Sequence, residues 1–301
     1  MTSGTDRRSV LTGLGALGVA GCVRAVEPEA PQSASAGPEA FDLSALERDN
    51  GGRLGFVAHD GHSGRVLGWR GDERFVYCST FKMYLAAATF LRVQAGQEQL
   101  DRMIPVTAAN MVSHAPVTEP AIGRSLSVEA LMKGAVEVSD NPAANLLLKA
   151  MGGIGPMQAF YRSIGDDSTT VNRFEPEMNR LDGDKDTITP LQSAANIHRL
   201  LTDPQTPLSA QSRAKLLRWM TDTPTGQNRI KAGAPADWTV IHKTGTGGYG
   251  PTNDIGVIYP ATGLPVIIAA YYHADSAAPA ARNEAVIADA TRQALSAFGR
   301  A

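Results

Sequence analysis

Apolar positions along the chain follow two different periods, and the change from one to the other outlines the fold. A short helix over Leu43 to Glu47 precedes two apolar runs, Leu54-Gly55-Phe56-Val57-Ala58 and Arg65-Val66-Leu67-Gly68-Trp69. The His59 to Gly64 segment between them is rich in turn residues, so the pair is predicted to form a hairpin. From Phe81 to about Val93 the Met, Tyr, Leu, Ala and Phe residues suit a mostly buried helix. Ser127 is placed to cap a helix over Val128 to Val138, and Pro142 at a first-turn position opens another over Ala143 to Met151, stopped by Gly152-Gly153. Thr189-Pro190 and Ser209 open two more helices, ending near Thr202 and Thr221. Strand-like runs then return at Thr239 to Thr244, Asp254 to Tyr259 and Pro265 to His273. An amphipathic helix from Arg282 to Phe298 closes the chain, with Gly299 as its stop.

Strands at both ends with helices between predict an α/β (α+β sandwich) fold. Its antiparallel sheet is flanked by helices and built from both chain ends, and an all-helical domain is inserted. The expected division is residues 41–77 and 221–301 for the sheet domain and 78–220 for the helical one. Residues 1–21 read as an export signal. Arg7-Arg8 precedes a Gly-rich apolar run, Val10 to Ala20, too short to span a bilayer and similar to a twin-arginine signal. Val19-Ala20-Gly21-Cys22 also resembles a lipobox, which would lipidate Cys22 and hold the protein at a membrane surface; an ordinary cleaved signal is the other reading. Residues 22–40, rich in Pro, Ala, Ser and Glu, read as a flexible tether.

A hydrophobic content of 43% with 19% charged residues argues against disorder and against a multi-span membrane protein. Net charge is −2 with both signs dispersed, so no nucleic-acid surface is expected. The cysteines are Cys22 and Cys78, and with Cys22 lipidated or removed no intramolecular disulfide is available. His59 and His62 share the predicted turn with no further ligand cluster nearby in sequence, so they read as exposed histidines and no metal site is expected.

Three short motifs carry chemistry. Ser79-Thr80-Phe81-Lys82 puts a serine one helical turn from a lysine, on the same face, at a helix N-terminus that offers N–H groups to an oxyanion. The same spacing also marks an ordinary N-cap with a solvated lysine. Ser139-Asp140-Asn141 sits at a break between helices. Ser139 and Asn141 suit a proton relay and a substrate-amide donor, while Asp140 suits loop amides and Asn145 can brace a neighbouring loop. Lys243-Thr244-Gly245-Thr246-Gly247 follows an apolar strand: Lys243 and Thr244 suit a carboxylate, the glycines close backbone approach to a ligand, and the Thr246 N–H an oxyanion hole shared with the Ser79 N–H. A strand running into a glycine turn is the plainer reading of that last piece.

Together with Arg173-Phe174-Glu175-Pro176-Glu177-Met178-Asn179, these motifs resemble those of the class A β-lactamases over nearly all of the chain after residue 40. The resemblance implies serine β-lactamase activity toward penicillins and cephalosporins, with an omega loop at about residues 170–188. Ser79 would be the nucleophile, Lys82 or Glu175 its base, and Ser139 the proton donor. Glu175 with Asn179 would hold the hydrolytic water. It further implies a salt bridge between Arg173 and Asp186 closing the loop, a cis peptide at Glu175-Pro176, Arg229 as a carboxylate ligand and His114 on the cleft wall. Cys78 matches a position at which carbapenemases place a disulfide, but the partner position is Gly247, so carbapenem hydrolysis is not implied. No cofactor or metal is expected. The implied partners are small-molecule β-lactams acting on an exported monomer, with a membrane surface reached only through lipidated Cys22. The alternatives are a peptidoglycan DD-peptidase or transpeptidase and a non-hydrolysing β-lactam sensor, which share the serine machinery but not Glu175 with Asn179.

Overall fold

The computed structural model describes residues 37–300 apart from Tyr249, Asp275 and Ser276. The predicted export signal, Cys22 and most of the predicted tether lie outside the described residues. Among the described residues no helix is long and apolar enough to cross a membrane.

In chain order the elements are β1 (Glu39–Ala40), α1 (Ser44–Asn50), β2 (Arg53–Asp60), β3 (Val66–Trp69), β4 (Phe75–Val76) and α2 (Phe81–Gln94). Next come β5 (Met103–Pro105), β6 (Ser125–Ser127), α3 (Val128–Glu137), α4 (Asn141–Ala150), α5 (Ile154–Ser163), β7 (Thr187–Ile188) and α6 (Pro190–Ile197). The last are α7 (Ala210–Thr221), α8 (Ile230–Gly233), β8 (Thr239–Thr246), β9 (Pro251–Tyr259), β10 (Val266–His273) and α9 (Ala280–Ala297).

Six strands form the main sheet in the order β1-β3-β2-β10-β9-β8, so the two chain ends interleave where β10 pairs with β2. All neighbours are antiparallel except β1, which runs parallel to β3 and makes the sheet mixed at that edge. Pairing of Glu39 with Leu67 and Ala40 with Gly68 also starts the sheet inside the stretch read as tether. The hairpin is tighter than expected. β2 continues to Asp60, and His59 pairs with Val66 and Ile267, so His59 is a half-buried strand residue rather than a turn residue.

Helices cover both faces of this sheet, which is why β10 and the middle of β2 are apolar without interruption. Along β10, Val266, Ile268, Ala270 and Tyr272 enter one core with Val286, Ile287 and Leu295 of α9. Ile267, Ala269 and Tyr271 enter the other with α2 and the central helices, as the period of two requires. Helix α2 is buried over ten consecutive residues, Phe81 to Phe90, including Lys82. A charged side chain buried in the first turn of a core helix must have partners, and it stands at the site described next.

The middle of the chain is less uniformly helical than its pattern suggests, because β4 pairs with β7 and β5 with β6. Helix α5 had no clear signal: Gly152, Gly153, Gly155 and Pro156 read as breakers, yet Pro156 falls in the first turn, where its missing N–H costs nothing. Helix α6 passes into a π-helical turn, His198–Thr202, which accounts for the predicted end near Thr202.

Candidate active site

Ser79 sits in a one-turn 3-10 segment, Cys78–Thr80, that feeds directly into α2. Lys82 in the first turn of α2 donates from Nζ to Ser79 Oγ at 2.8 Å, to Ser139 O at 2.8 Å and to Asn141 Oδ1, and lies 3.0 Å from Glu175 Oε1. Both charged side chains are fully buried. Burial pushes the Lys82 pKa below the ordinary lysine value, with Glu175 opposing the shift. The Ser79 hydroxyl in turn donates to Glu175 Oε1 at 3.3 Å. Ser79 and Lys82, three residues apart, therefore make one contact cluster with Glu175, which lies 96 residues beyond Ser79.

The turn before α4 supplies the next wall. Asp140 caps α4 by accepting from Ala143 N, and it also accepts from Val117 N at 2.8 Å and from Thr118 N at 2.9 Å and Oγ1. Asp140 thus accepts from backbone N–H groups on both sides of the turn. The loop is also tied through Asn141, whose Nδ2 donates to Ser113 O and whose N–H donates to His114 O. His114 is exposed on the cleft wall with Nε2 2.8 Å from Val138 O. Ser139 projects between two lysines, with Oγ 3.4 Å from Lys82 Nζ and 3.2 Å from Lys243 Nζ.

Lys243 comes from β8 and is fully buried, so desolvation and the nearby Lys82 charge hold its pKa well below the usual value. Thr244 Oγ1 lies 2.9 Å from Thr225 Oγ1. The glycines of this strand approach protein rather than leaving room for a ligand. A Cβ on Gly245 would stand 2.7 Å from Tyr77 O and 3.0 Å from Thr80 Cγ2, and one on Gly247 2.7 Å from Asn179 O. They allow β8 to press against the Ser79 turn and the Glu175 loop. Arg229 lines the cleft and is buried and anchored there: Nε pairs with Glu284 at 3.1 Å, Nη1 donates to Asn253 O and Gly245 O, and Nη2 donates to Thr246 Oγ1 at 2.8 Å.

Glu175 arrives on a loop that is held at three points. Asn145 of α4 donates from Nδ2 to Glu175 O and accepts from Glu175 N, each at 2.9 Å. Asp186, fully buried, accepts from Asn172 N, Arg173 N, Arg173 Nε and Tyr77 Oη. Val171 and Met178 enter the core beneath. The Glu175-Pro176 peptide is cis. Asn179 donates to Glu175 Oε2, while its own Oδ1 is buried with no protein partner.

Cys78, His114, Ser139 and Asp186 all hold positive φ without being glycine, at 49°, 63°, 62° and 54°. Each such residue costs about 1–3 kcal/mol and persists only where its surroundings dictate it. Cys78 adjoins Ser79, His114 and Ser139 line its cleft and Asp186 anchors the Glu175 loop, which agrees with a functional constraint, while a fifth such residue, Arg70, lies outside the cleft lining. Cys78 is a free, buried thiol. The cleft measures about 390 Å³ and brings Ser79, Ser139, Asn141, Asn179, Thr244 and Thr246 to one space. It also takes in Thr225 and Glu284, which the sequence reading passed over. Thr225 stands four residues before Arg229 in sequence, but nothing in the periodic pattern of α9 marks Glu284. Among the described residues no group of three or more His, Cys, Asp and Glu side chains could hold a metal ion.

The Beta-lactamase enzyme family matches residues 40–298. β-Lactamase FAR-1 of Nocardia farcinica is 37% identical over 85% of this chain and 82% of its own. The carbapenem-hydrolysing β-lactamase KPC of Klebsiella oxytoca is 40% identical over 85% and 88%. Among solved structures, an ancestral class A β-lactamase superposes with a TM-score of 0.81 at 45% identity, covering 85% of this chain and 98% of the other. A β-lactamase of Burkholderia vietnamiensis gives 0.83 at 41%, over 86% and 96%. Sequence, fold and the joined serine, lysine and glutamate agree: the chain belongs to the class A serine β-lactamases.

Proposed function

We propose that this enzyme hydrolyses the lactam amide of penicillins and cephalosporins through an ester on Ser79, which a water activated by Glu175 then releases. One observation carries the reading: Ser79 Oγ lies between Lys82 Nζ at 2.8 Å and Glu175 Oε1 at 3.3 Å, and Glu175 is fixed by Asn145 and Asn179. Ser79 Oγ attacks the lactam carbonyl, and the oxyanion is received by the backbone N–H groups of Ser79 and Thr246. With Lys82 charged, the serine proton passes to Glu175; with Lys82 neutral, its amine takes the proton. Both routes end in the same ester. Ser139 gives its proton to the departing nitrogen and is resupplied from Lys82 or Lys243, both near its Oγ.

Deacylation needs a base on the opposite face of the ester. Glu175 and the unpartnered Asn179 Oδ1 would position a water there, Glu175 taking its proton as the oxygen attacks and returning it to Ser79 Oγ as the ester C–O bond breaks, which frees the serine hydroxyl and the acid product. Lys243, Thr244 and Arg229 hold the substrate carboxylate, Asn141 its side-chain amide, and His114 forms the wall. A 390 Å³ cleft suits a small bicyclic molecule. Residues 1–21 would direct export, and a lipidated Cys22 would tether the enzyme, as a monomer, to the outer side of the membrane by way of the linker.

Purified enzyme mixed with a chromogenic cephalosporin, with product and intact mass followed together, tests this. Many turnovers without a persisting adduct are expected. A single turnover leaving a stable adduct would mean a peptidase or a sensor. Glu175→Gln should acylate and accumulate the ester, so steady-state turnover at the parent rate in that variant would remove Glu175 from deacylation.

A further inference from the structure

A groove on the same face of the sheet as α2, at the end of β2, holds two histidines that the lactamase chemistry does not use. His59, near the end of β2, and His198, at the start of the π-helical turn after α6, meet edge to face with ring centroids 5.7 Å apart. They line a cleft of about 250 Å³ whose other walls include Leu264, Pro265 and Ile267. In sequence His59 has only His62 for company, and the fold supplies a different partner from 139 positions later.

We propose that His59 and His198 together bind one late first-row divalent cation, Cu²⁺ more tightly than Zn²⁺, with water completing its coordination. Two features of the structure support it. First, two imidazoles ligating one ion through bonds of about 2.0–2.1 Å have ring centroids about 5–6.5 Å apart, which brackets the observed separation. Second, His198 Nδ1 lies 2.8 Å from Thr202 Oγ1. That contact occupies one nitrogen, leaves Nε2 for a metal and fixes the ring, the arrangement that ligating histidines normally have. The π turn that places Thr202 four residues on is itself a rare conformation, frequent at functional sites. Two imidazoles without a carboxylate favour copper over zinc by the usual order of affinities.

The chain has six histidines, so the test must separate them. Metal-free full-length enzyme is titrated with Cu²⁺ and with Zn²⁺ by calorimetry in a non-chelating buffer, beside His59→Gln, His198→Gln, Thr202→Val and His62→Gln. One ion per chain is expected for the parent and for His62→Gln. Binding should be lost in His59→Gln and in His198→Gln, and weakened about tenfold in Thr202→Val. X-ray absorption on the copper-loaded parent should show two imidazole nitrogens near the metal, a readout that does not depend on how the variants fold. No binding by the parent, undiminished binding in His198→Gln, or one or no imidazole at the metal would each overturn the proposal.

Discussion

Replacing Asp186 by Asn tests whether the loop that presents Glu175 is held by a single buried carboxylate. Asp186 Oδ1 accepts from Asn172 N at 2.7 Å, Arg173 N at 3.0 Å and Tyr77 Oη at 3.2 Å, and Oδ2 accepts from Arg173 Nε at 2.5 Å. The substitution keeps the shape and one acceptor oxygen, and Asn tolerates the positive φ of this position. It removes the charge and sets an N–H donor against the Arg173 guanidinium. Removing one partner of a buried pair costs about 3–5 kcal/mol. Arg173 is 20% exposed and keeps an exposed second carboxylate, Asp182, at 3.6 Å, which places the loss at the lower end, about 3 kcal/mol. For a domain of this size that lowers Tm by about 6–12 °C. In urea the midpoint should fall with an unchanged slope, and turnover of a chromogenic cephalosporin should fall further than acylation, because the loop carries the proposed deacylation base. A midpoint shift equivalent to less than about 1 kcal/mol, together with parental turnover, would refute the assignment of Asp186 as the clasp.

Three other outcomes follow from the same geometry. His273 packs its ring on Phe75 and has a buried, unpartnered Nε2, and burial with nearby Arg53 lowers its pKa to about 4. Between about pH 6.5 and 4 the unfolded chain binds the extra proton, so this residue should cost up to about 3 kcal/mol of stability as pH falls through that window. Urea melts of His273→Phe at a series of pH values should lose that slope; an identical pH dependence in parent and variant would count against it. Arg229→Ala should raise KM for carboxylate-bearing β-lactams by about tenfold or more, as loss of a charged hydrogen bond does, and an unchanged kcat/KM would take Arg229 out of substrate binding. Burial and the Glu175 charge push the Cys78 thiol up, so peptide mapping after iodoacetamide at pH 8 should find it unmodified in native enzyme and modified in urea; rapid native labelling would contradict its burial.

Much of this site was legible along the chain because its chemistry is encoded in short runs. Ser79 with Lys82, Ser139 with Asn141, Lys243 with Thr244, and Glu175 with Asn179 each depend on spacings of one to four residues, and a helix turn or a tight loop brings such neighbours together whatever the rest of the molecule does. The buried strands and helices were legible for a similar reason, since a sheet covered on both faces writes itself as continuous apolar runs. What the tertiary structure alone decided is how the runs meet. That Lys82 bridges Ser79, Asn141 and Glu175, that Gly245 and Gly247 serve to seat β8 against the Ser79 turn and the Glu175 loop, and that Glu284 closes on Arg229 are all contacts between distant segments. The same holds for His59, which finds His198 and not His62. Local sequence specifies which groups a segment carries and the direction they take from it. Their mutual distances are set only when the two cores close, because burial is non-directional and fixes positions through the packing of the whole.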